Sequence, residues 1–461
     1  MGKMVIKMNS ILSYLEKRGY KSVPASFYTK IKDWDDWYKI SVDDWHKSHI
    51  YNGLRVVEKI IKTLGMAKTV SETWANLMMN EKVAISCGDE TSDELLEDIL
   101  KKNNFRVKAN QLCELSMALG SGAFVEYINN NEVRIDYIRA DLIYPLSWDS
   151  RGISECAFGS VLHKKDGDYI QLQLHTLNNG QYVIENCMIK HDLNGEFKEV
   201  PLPKGLAKIV QTHSDIPFFQ IITPNIVNNI DLNVPLGISV YANAMDCLKE
   251  IDLTFDSLST EIETGRRMVF MAAELFYSDE QGNRHNVMSE KETVIRLIGE
   301  SESGAEHSLI HDYSPTLRIN DIKSALQFQL DLLSEKCGMG TNQFEFDARG
   351  VKTATEIISE DSDLYVNLKK HEILLEHALT KMIEAIAYLA QQVGLQMNVK
   401  EIKIDFDDSI IEDTNAERQK DMQDLANGTL RAEEYRARWR NETLEEALAN
   451  LPKLANMDDM P

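Results

Sequence analysis

The sequence predicts an α+β fold, on three observations. Helical patterns up to Leu119 give way to alternating, strand-like runs broken by turns such as Asn129-Asn130-Asn131 and Asn178-Asn179-Gly180. Two stretches with helical apolar spacing, 238–264 and 321–337, bracket strand-like and loop sequence. From Thr353 to Val393 there is neither proline nor glycine. A helix of that length would be roughly 60 Å long at the usual rise per residue, longer than a small domain is wide.

Near the N-terminus, Trp34, Trp37 and Trp45 lie among Asp33, Asp35, Asp36, Asp43 and Asp44. Tryptophans three apart share a helical face, which predicts a peripheral helix docked on a core; the alternative is a partner-binding patch. A helical pattern runs from Val56 to Lys82 through Val70, Trp74, Leu77 and Met78. The next helix is expected over Ser92–Asn103, with Ser92 as N-cap and Leu95, Leu96, Ile99 and Leu100 inward. Gly120-Ser121-Gly122 reads as a helix-to-strand turn, since no helix follows to cradle a phosphate. Strands continue through 156–190, and Leu202–Pro235 is a connector carrying Pro203, Pro217, Pro224 and Pro235.

A helix is then expected over Ile238–Thr264. Its stripe is Val240, Ala244, Leu248, Ile251, Phe255, Leu258 and Ile262, and Asp246, Glu250, Asp252, Asp256, Glu261 and Glu263 load the remaining surface with acid. Strand-like sequence such as 268–277 follows. A second helix begins at Asn320 or Asp321, with Ile322, Leu326, Leu330, Leu333 and Cys337 inward and Gly338 as its end. A polar and aromatic loop leads to the long helix, opened by a Thr353/Glu356 capping box and striped by Leu368, Leu375, Leu379, Met382, Ile386, Leu389 and Val393 before Gly394. Ile402, Ile404 and Phe406 alternate as a strand, and short helices from Thr414 complete the chain.

Composition excludes several classes. There are 73 acidic residues against 50 basic, a formal charge of −23, opposite to a nucleic-acid-binding footprint yet compatible with a surface past which a polyanion slides. The six cysteines have no close pair, so neither a disulfide framework nor a zinc site is signalled. MGKMVIKMNS lacks an apolar signal core, Ile6 stands where a myristoylation motif needs Ser or Thr, and no apolar run approaches the ~18 residues of a membrane span. A soluble cytoplasmic product is expected. No P-loop, G-x-S-x-G elbow or H-E-x-x-H occurs. His307 and His311 lack a third ligand, and His371 and His377 lie on different helical faces. The expectation is a non-enzyme without cofactor or metal.

The ordered set of elements resembles the portal proteins of tailed bacteriophages, especially long-tailed phages of Gram-positive hosts. The resemblance spans nearly the whole chain and is carried by AKTVSETWANLMMNEKVAI, ALGSGAFVEYI, TPNIVNNIDLNVPLGISVYANAMDCLKEID and FEFDARGVKTATEIISEDSDLY. It implies a portal fold in a dodecameric ring. Residues 1–236 would be most of the wing, 237–266 the first stem helix, 267–319 the clip and 320–338 the second stem helix. Residues 339–352 would be the tunnel loop, 353–394 the long kinked helix beside it, 395–413 a wing strand and 414–461 the crown. Thr341, Asn342, Gln343, Phe344, Glu345, Phe346, Asp347, Arg349 and Lys352 would face DNA, and Asp246, Glu250, Asp256, Lys323 and Lys336 would line the channel or stem. Lys352 opposes the helix dipole, so a phosphate or a neighbouring subunit's carboxylate is its expected partner. The implied partners are further copies of the chain, double-stranded DNA in transit, the terminase large subunit, major capsid and scaffolding proteins, and head–tail connector proteins, with no membrane. The implied location is the virion's capsid vertex after assembly in the host cytoplasm. The alternative is another virion connector or tail ring protein.

Overall fold

The structure is a computed structural model that describes residues 11–43, 45–51, 55–80, 82–164, 167–191, 197–265, 268–272, 276–278, 281, 284–286, 295–298, 310–341, 343–345, 354–406, 414–440 and 444–451. Helix α1 (11–17) buries Ile11, Leu12 and Leu15. Helix α2 (Ala25–Tyr38) buries Trp34 and Trp37 on one face, as their spacing predicts, while Trp45 lies beyond the helix.

The expected helix from Val56 begins later. Strands β1 (Lys47–Tyr51) and β2 (Val56–Ile60) form an antiparallel hairpin, and α3 covers only Met66–Met78. Val56, Val57 and Ile60 include β-branched residues suited to a pleated surface, and Gly65, at φ 66°, makes the break before α3. Strand β3 (Ala84–Ser86) precedes α4 (Glu90–Lys102). The N-cap of α4 is Asp89 instead of Ser92: its carboxylate accepts from the Ser92 N–H and hydroxyl. Ser92 Oγ also accepts the backbone N–H of Asn398.

Helix α5 (Phe105–Leu119) ends at Gly120 and runs into β4 (Gly122–Asn129) and β5 (Glu132–Arg139). Asn130 and Asn131 both take positive φ, as a two-residue type I′ hairpin turn requires. Strands β6 (Ile143–Asp149), β7 (Gly152–Lys164), β8 (Gly167–Asn178), β9 (Gln181–His191) and β10 (Phe197–Val200) form an antiparallel meander. The connector adds β11 (Ile209–Gln211) to β9, and β12 (Phe219–Ile222) to β4, giving a second sheet in the order β12-β4-β5.

Between 222 and 245 the chain crosses the end of α5. A Cβ on Gly237 would lie 2.3 Å from the Gly120 carbonyl oxygen, and one on Gly120 2.4 Å from that of Gly237, so only glycines let these backbones cross. Ser121 Oγ accepts the Gly237 N–H and the Met117 carbonyl accepts that of Val240. The Gly120-Ser121-Gly122 turn is thus a packing device.

Helix α6 therefore spans Met245–Thr264, later than the expected Ile238 start: the Val240 N–H goes to the crossing and the Tyr241 N–H to Ser239 Oγ, and Ala242–Ala244 form only a 3₁₀ turn. Beyond it lie β13 (Met268–Ala272), β14 (Phe276–Ser278), β15 (Arg284–Asn286), β16 (Ile295–Ile298) and β17 (Ile310–Tyr313). Strand β13 pairs parallel with β16 and antiparallel with β17, while β14 pairs with β15. Helix α7 (Ile319–Lys336) returns alongside α6.

Helix α8 runs without interruption over Ala354–Gln392. Its Thr353 cap lies outside the described residues. Leu368, Leu375, Leu379, Met382, Ile386 and Leu389 are buried as the stripe predicts, with Val393 half-buried. Ala378, Ile383, Ala385, Ala387 and Ala390 are buried too, so the helix is enclosed on a broader face than one stripe. It packs on β12, β4, β5 and α3. Strand β18 (Lys403–Asp405) pairs with β3, and α9 (Thr414–Ala426), α10 (Ala432–Arg440) and α11 (Leu444–Ala449) end the described chain. All six cysteines are buried and unpaired. Among the described residues no helix is long and apolar enough to cross a membrane.

Candidate functional site: the paired helices and their loop

Helices α6 and α7 stand as antiparallel struts whose burial tapers away from the core. Cys247, Leu248 and Ile251 are buried at the near end of α6; Phe255 and Leu258 are half-buried; Ile262, near the far end, is exposed. The trend repeats in α7, where Leu326, Leu330 and Leu333 are buried and Ile322 only partly. At the far end Arg318 clamps Glu261 through Nη2–Oε2 at 2.8 Å and Nε–Oε1 at 3.2 Å, and its backbone N–H donates to the same carboxylate. These hydrogen bonds hold the Glu261 carboxyl down at about 2.

The acidic face of α6 differs from its expected form. Asp246 and Glu250 are exposed, with Asp246 3.3 Å from Lys249 Nζ. Asp252 and Asp256, by contrast, are buried and bind the β1–β2 hairpin and the segment after it. Asp256 accepts the Lys62 N–H and pairs with Lys59 at 2.8 Å. Asp252 accepts the Leu64 N–H and faces His46 Nε2 at 3.4 Å; the Val42 N–H donates to His46 Nδ1, which places the ring proton on Nε2. Burial raises the Asp252 carboxyl. Asp256 is thus an internal anchor and not the surface acid the sequence suggests. Frequent acids in the chain gave no signal for this; the alternation of β1 and β2 was the one available clue. Lys323 and Lys336 are exposed on α7, the latter in its last turn where a cation complements the helix dipole.

The loop after α7 has a fixed base. Gly338 and Gly340 take positive φ, the Cys337 carbonyl accepts Trp74 Nε1–H, and the Gly338 carbonyl accepts Asn367 Nδ2–H. Met339 is buried, whereas Thr341, Gln343 and Glu345 are exposed. Phe344 departs from a loop free of the core: it is half-buried and packs against the hydrophobic cluster, with its carbonyl 3.4 Å from Gln327 Nε2. Asn342, Phe346, Asp347, Arg349 and Lys352 lie outside the described residues, as does His307. His371 and His377 are apart in role as in face: His371 is buried and accepts the Asn225 N–H, while His377 is exposed. Among the described residues no cluster of three His, Cys, Asp or Glu side chains is placed to hold a metal ion.

Large apolar side chains remain on the outer faces of these elements. Phe328 is 69% exposed, and Leu253, Ile262 and Leu332 are exposed as well, beside Val366 and Ile373 on α8. Such residues on several long helices suit contact with further chains. No curated protein matches the sequence. A family model described as phage portal protein, SPP1 Gp6-like, matches residues 21–450, a span that takes in both struts, the strands between them, the loop and α8. The chain therefore belongs to the SPP1 Gp6-like family of phage portal proteins.

Proposed function

We propose that the chain assembles as a closed, dodecameric ring in which α6 and α7 form the stem and the strands between them the clip. As a phage portal protein it serves at the capsid vertex of the virion, in a family that is structural. In this reading residues 1–236 and 395–413 build the wing, 339–352 the tunnel loop and 414–461 the crown. The loop faces DNA in the channel through Thr341, Gln343 and the residues that follow, and Asp246, Glu250, Lys323 and Lys336 lie along the stem. The clip docks the terminase large subunit during packaging and head–tail connector proteins afterwards, the wing meets capsid and scaffolding proteins, and assembly takes place in the host cytoplasm.

The observation that carries this reading is the set of exposed apolar residues on both struts, led by Phe328. Heterologous contacts that close produce cyclic rings, and ones that fail to close produce filaments. The net charge of −23 supports passage without tight binding, because few phosphate contacts means a shallow salt dependence. Phe328→Asp tests the reading: light scattering should show wild-type rings and dispersed variant subunits with an unchanged melting temperature. Rings of unaltered size in the variant would remove the α7 face from the interface.

A further inference from the structure

A pocket of about 270 Å³ lies between the two sheets, beneath the C-terminal end of α8. Its floor holds polar groups that the chain leaves unsatisfied. Neither carboxylate oxygen of Glu126 on β4, neither ring nitrogen of His175 on β8, nor Asn186 Oδ1 on β9 has a hydrogen-bond partner among the described residues. All three side chains are buried, Glu126 completely. The backbone N–H of Glu126 is already committed to the Phe218 carbonyl, and Asn186 Nδ2 to that of Ala207. Unpaired polar atoms at this depth are costly, a carboxylate most of all, and the three residues that carry them line one cavity.

The inventory of groups indicates the chemistry of a fitting guest. Among the unpartnered groups, an ionised Glu126 offers two acceptor oxygens, Asn186 Oδ1 another and neutral His175 one more, against a single imidazole N–H donor. No lysine or arginine is among the described lining residues. The wall includes the rings of Phe218 and Tyr388, whose faces attract cations. Tyr388 is itself held by its hydroxyl, which donates to the carbonyls of Thr212 and His213.

We propose that this pocket binds a small organic cation bearing several N–H donors, a guanidinium or primary ammonium group, with Glu126 as its counter-ion and Asn186 Oδ1 as a further acceptor. Burial raises the Glu126 carboxyl to about 8, so at neutral pH the cation displaces a proton as it binds. The titratable groups around Glu126 are Tyr127 on its own strand, Asp136 and Tyr137 on β5, His175 on β8, His213 in the connector and Tyr388 on α8. Of these His175 stays neutral, its imidazolium form being suppressed by burial. The guest is a free small cation or an arginine or lysine side chain of a second copy of this chain; both present the same group.

The test titrates methylguanidinium chloride into the full-length protein by calorimetry, with tetramethylammonium, which has no N–H, as control. Saturable binding is expected, about 25-fold tighter near pH 8.5 than near pH 6.5, with about one proton released per cation at the lower pH. Tetramethylammonium should not bind, and Glu126→Gln should abolish binding while keeping at least the wild-type melting temperature. Binding to both dispersed subunits and assembled rings identifies a free cation as the guest; binding to dispersed subunits alone identifies a neighbour's side chain. No saturable binding at either pH, equal affinity at both, or unchanged binding in Glu126→Gln would overturn the proposal, and the wild-type titration decides even if the variant misfolds.

Discussion

Helix α8 and the strut pair α6–α7 carry similar apolar stripes in the sequence, yet the fold uses them differently. Between Leu375 and Ala390, α8 is buried on most of its circumference, against the β12-β4-β5 sheet and α3. The struts are buried on one face where they join the core; Leu253 and Phe328 on the opposite face, and Ile262 near the far end, stay in solvent. A stripe thus announces that something will cover a helix without saying whether the cover belongs to the same chain. The small residues Ala378, Ala385, Ala387 and Ala390 mark the difference: they let sheets and helices approach α8 closely, and the struts have no matching series.

The widest separation between the two regions should come from truncating each. Leu379→Ala in α8 removes a fully buried side chain and should cost about 3–4 kcal/mol in chemical denaturation. If it costs under about 1 kcal/mol, the enclosed portion of α8 is not the core of the fold.

Comparable in size is a pH effect confined to the core. Between the unfolded value of 4.5 and the folded value of about 8, the native state holds a proton on Glu126 that the unfolded chain has released. The Glu126 contribution to stability should therefore fall as pH rises through that window, by about 4 kcal/mol, and Glu126→Gln should remove it. The histidines act oppositely. Burial lowers His175 to about 3 and His371 to about 4, so the unfolded chain gains protons first and stability falls as pH drops below 6.5. A flat profile from pH 5 to 8 in the wild type would contradict this. The Arg318–Glu261 clamp, at the exposed end of the struts, should respond to salt instead.

Much of this contrast was legible in the residues, for identifiable reasons. Asn130-Asn131 and Asn179-Gly180 can adopt the positive φ that tight hairpins need, so the antiparallel strands could be read directly. The extent of α8 was equally plain from its unbroken run up to Gly394. Three features were hidden because they depend on contacts distant in sequence. Residues 238–241 look helical, but the Val240 N–H donates to the end of α5; Asp252 and Asp256 look like surface acids but anchor the β1–β2 hairpin and the segments beside it; Glu126 and His175 lie on strands of different sheets and line one pocket only when the chain has folded. Of the loop, its glycine hinges were readable from Gly338 and Gly340, whereas the packing of Phe344 was not.

Phe344 provides the finest test of where core ends and loop begins. Phe344→Ala should cost about 1 kcal/mol through lost partial burial, while Thr341→Ala and Gln343→Ala should lie within about 0.5 kcal/mol of wild type. Equal effects at all three positions would place Phe344 with the free part of the loop.

Cryo-electron microscopy of the purified, assembled protein tests the reading of the struts most directly. The expected particle is a closed ring with a central channel, with residues 339–352 innermost and with Phe328, Leu253 and Ile262 covered by neighbouring subunits. Monomers, open filaments, or a ring that leaves those three residues in solvent and turns the loop outward would contradict it.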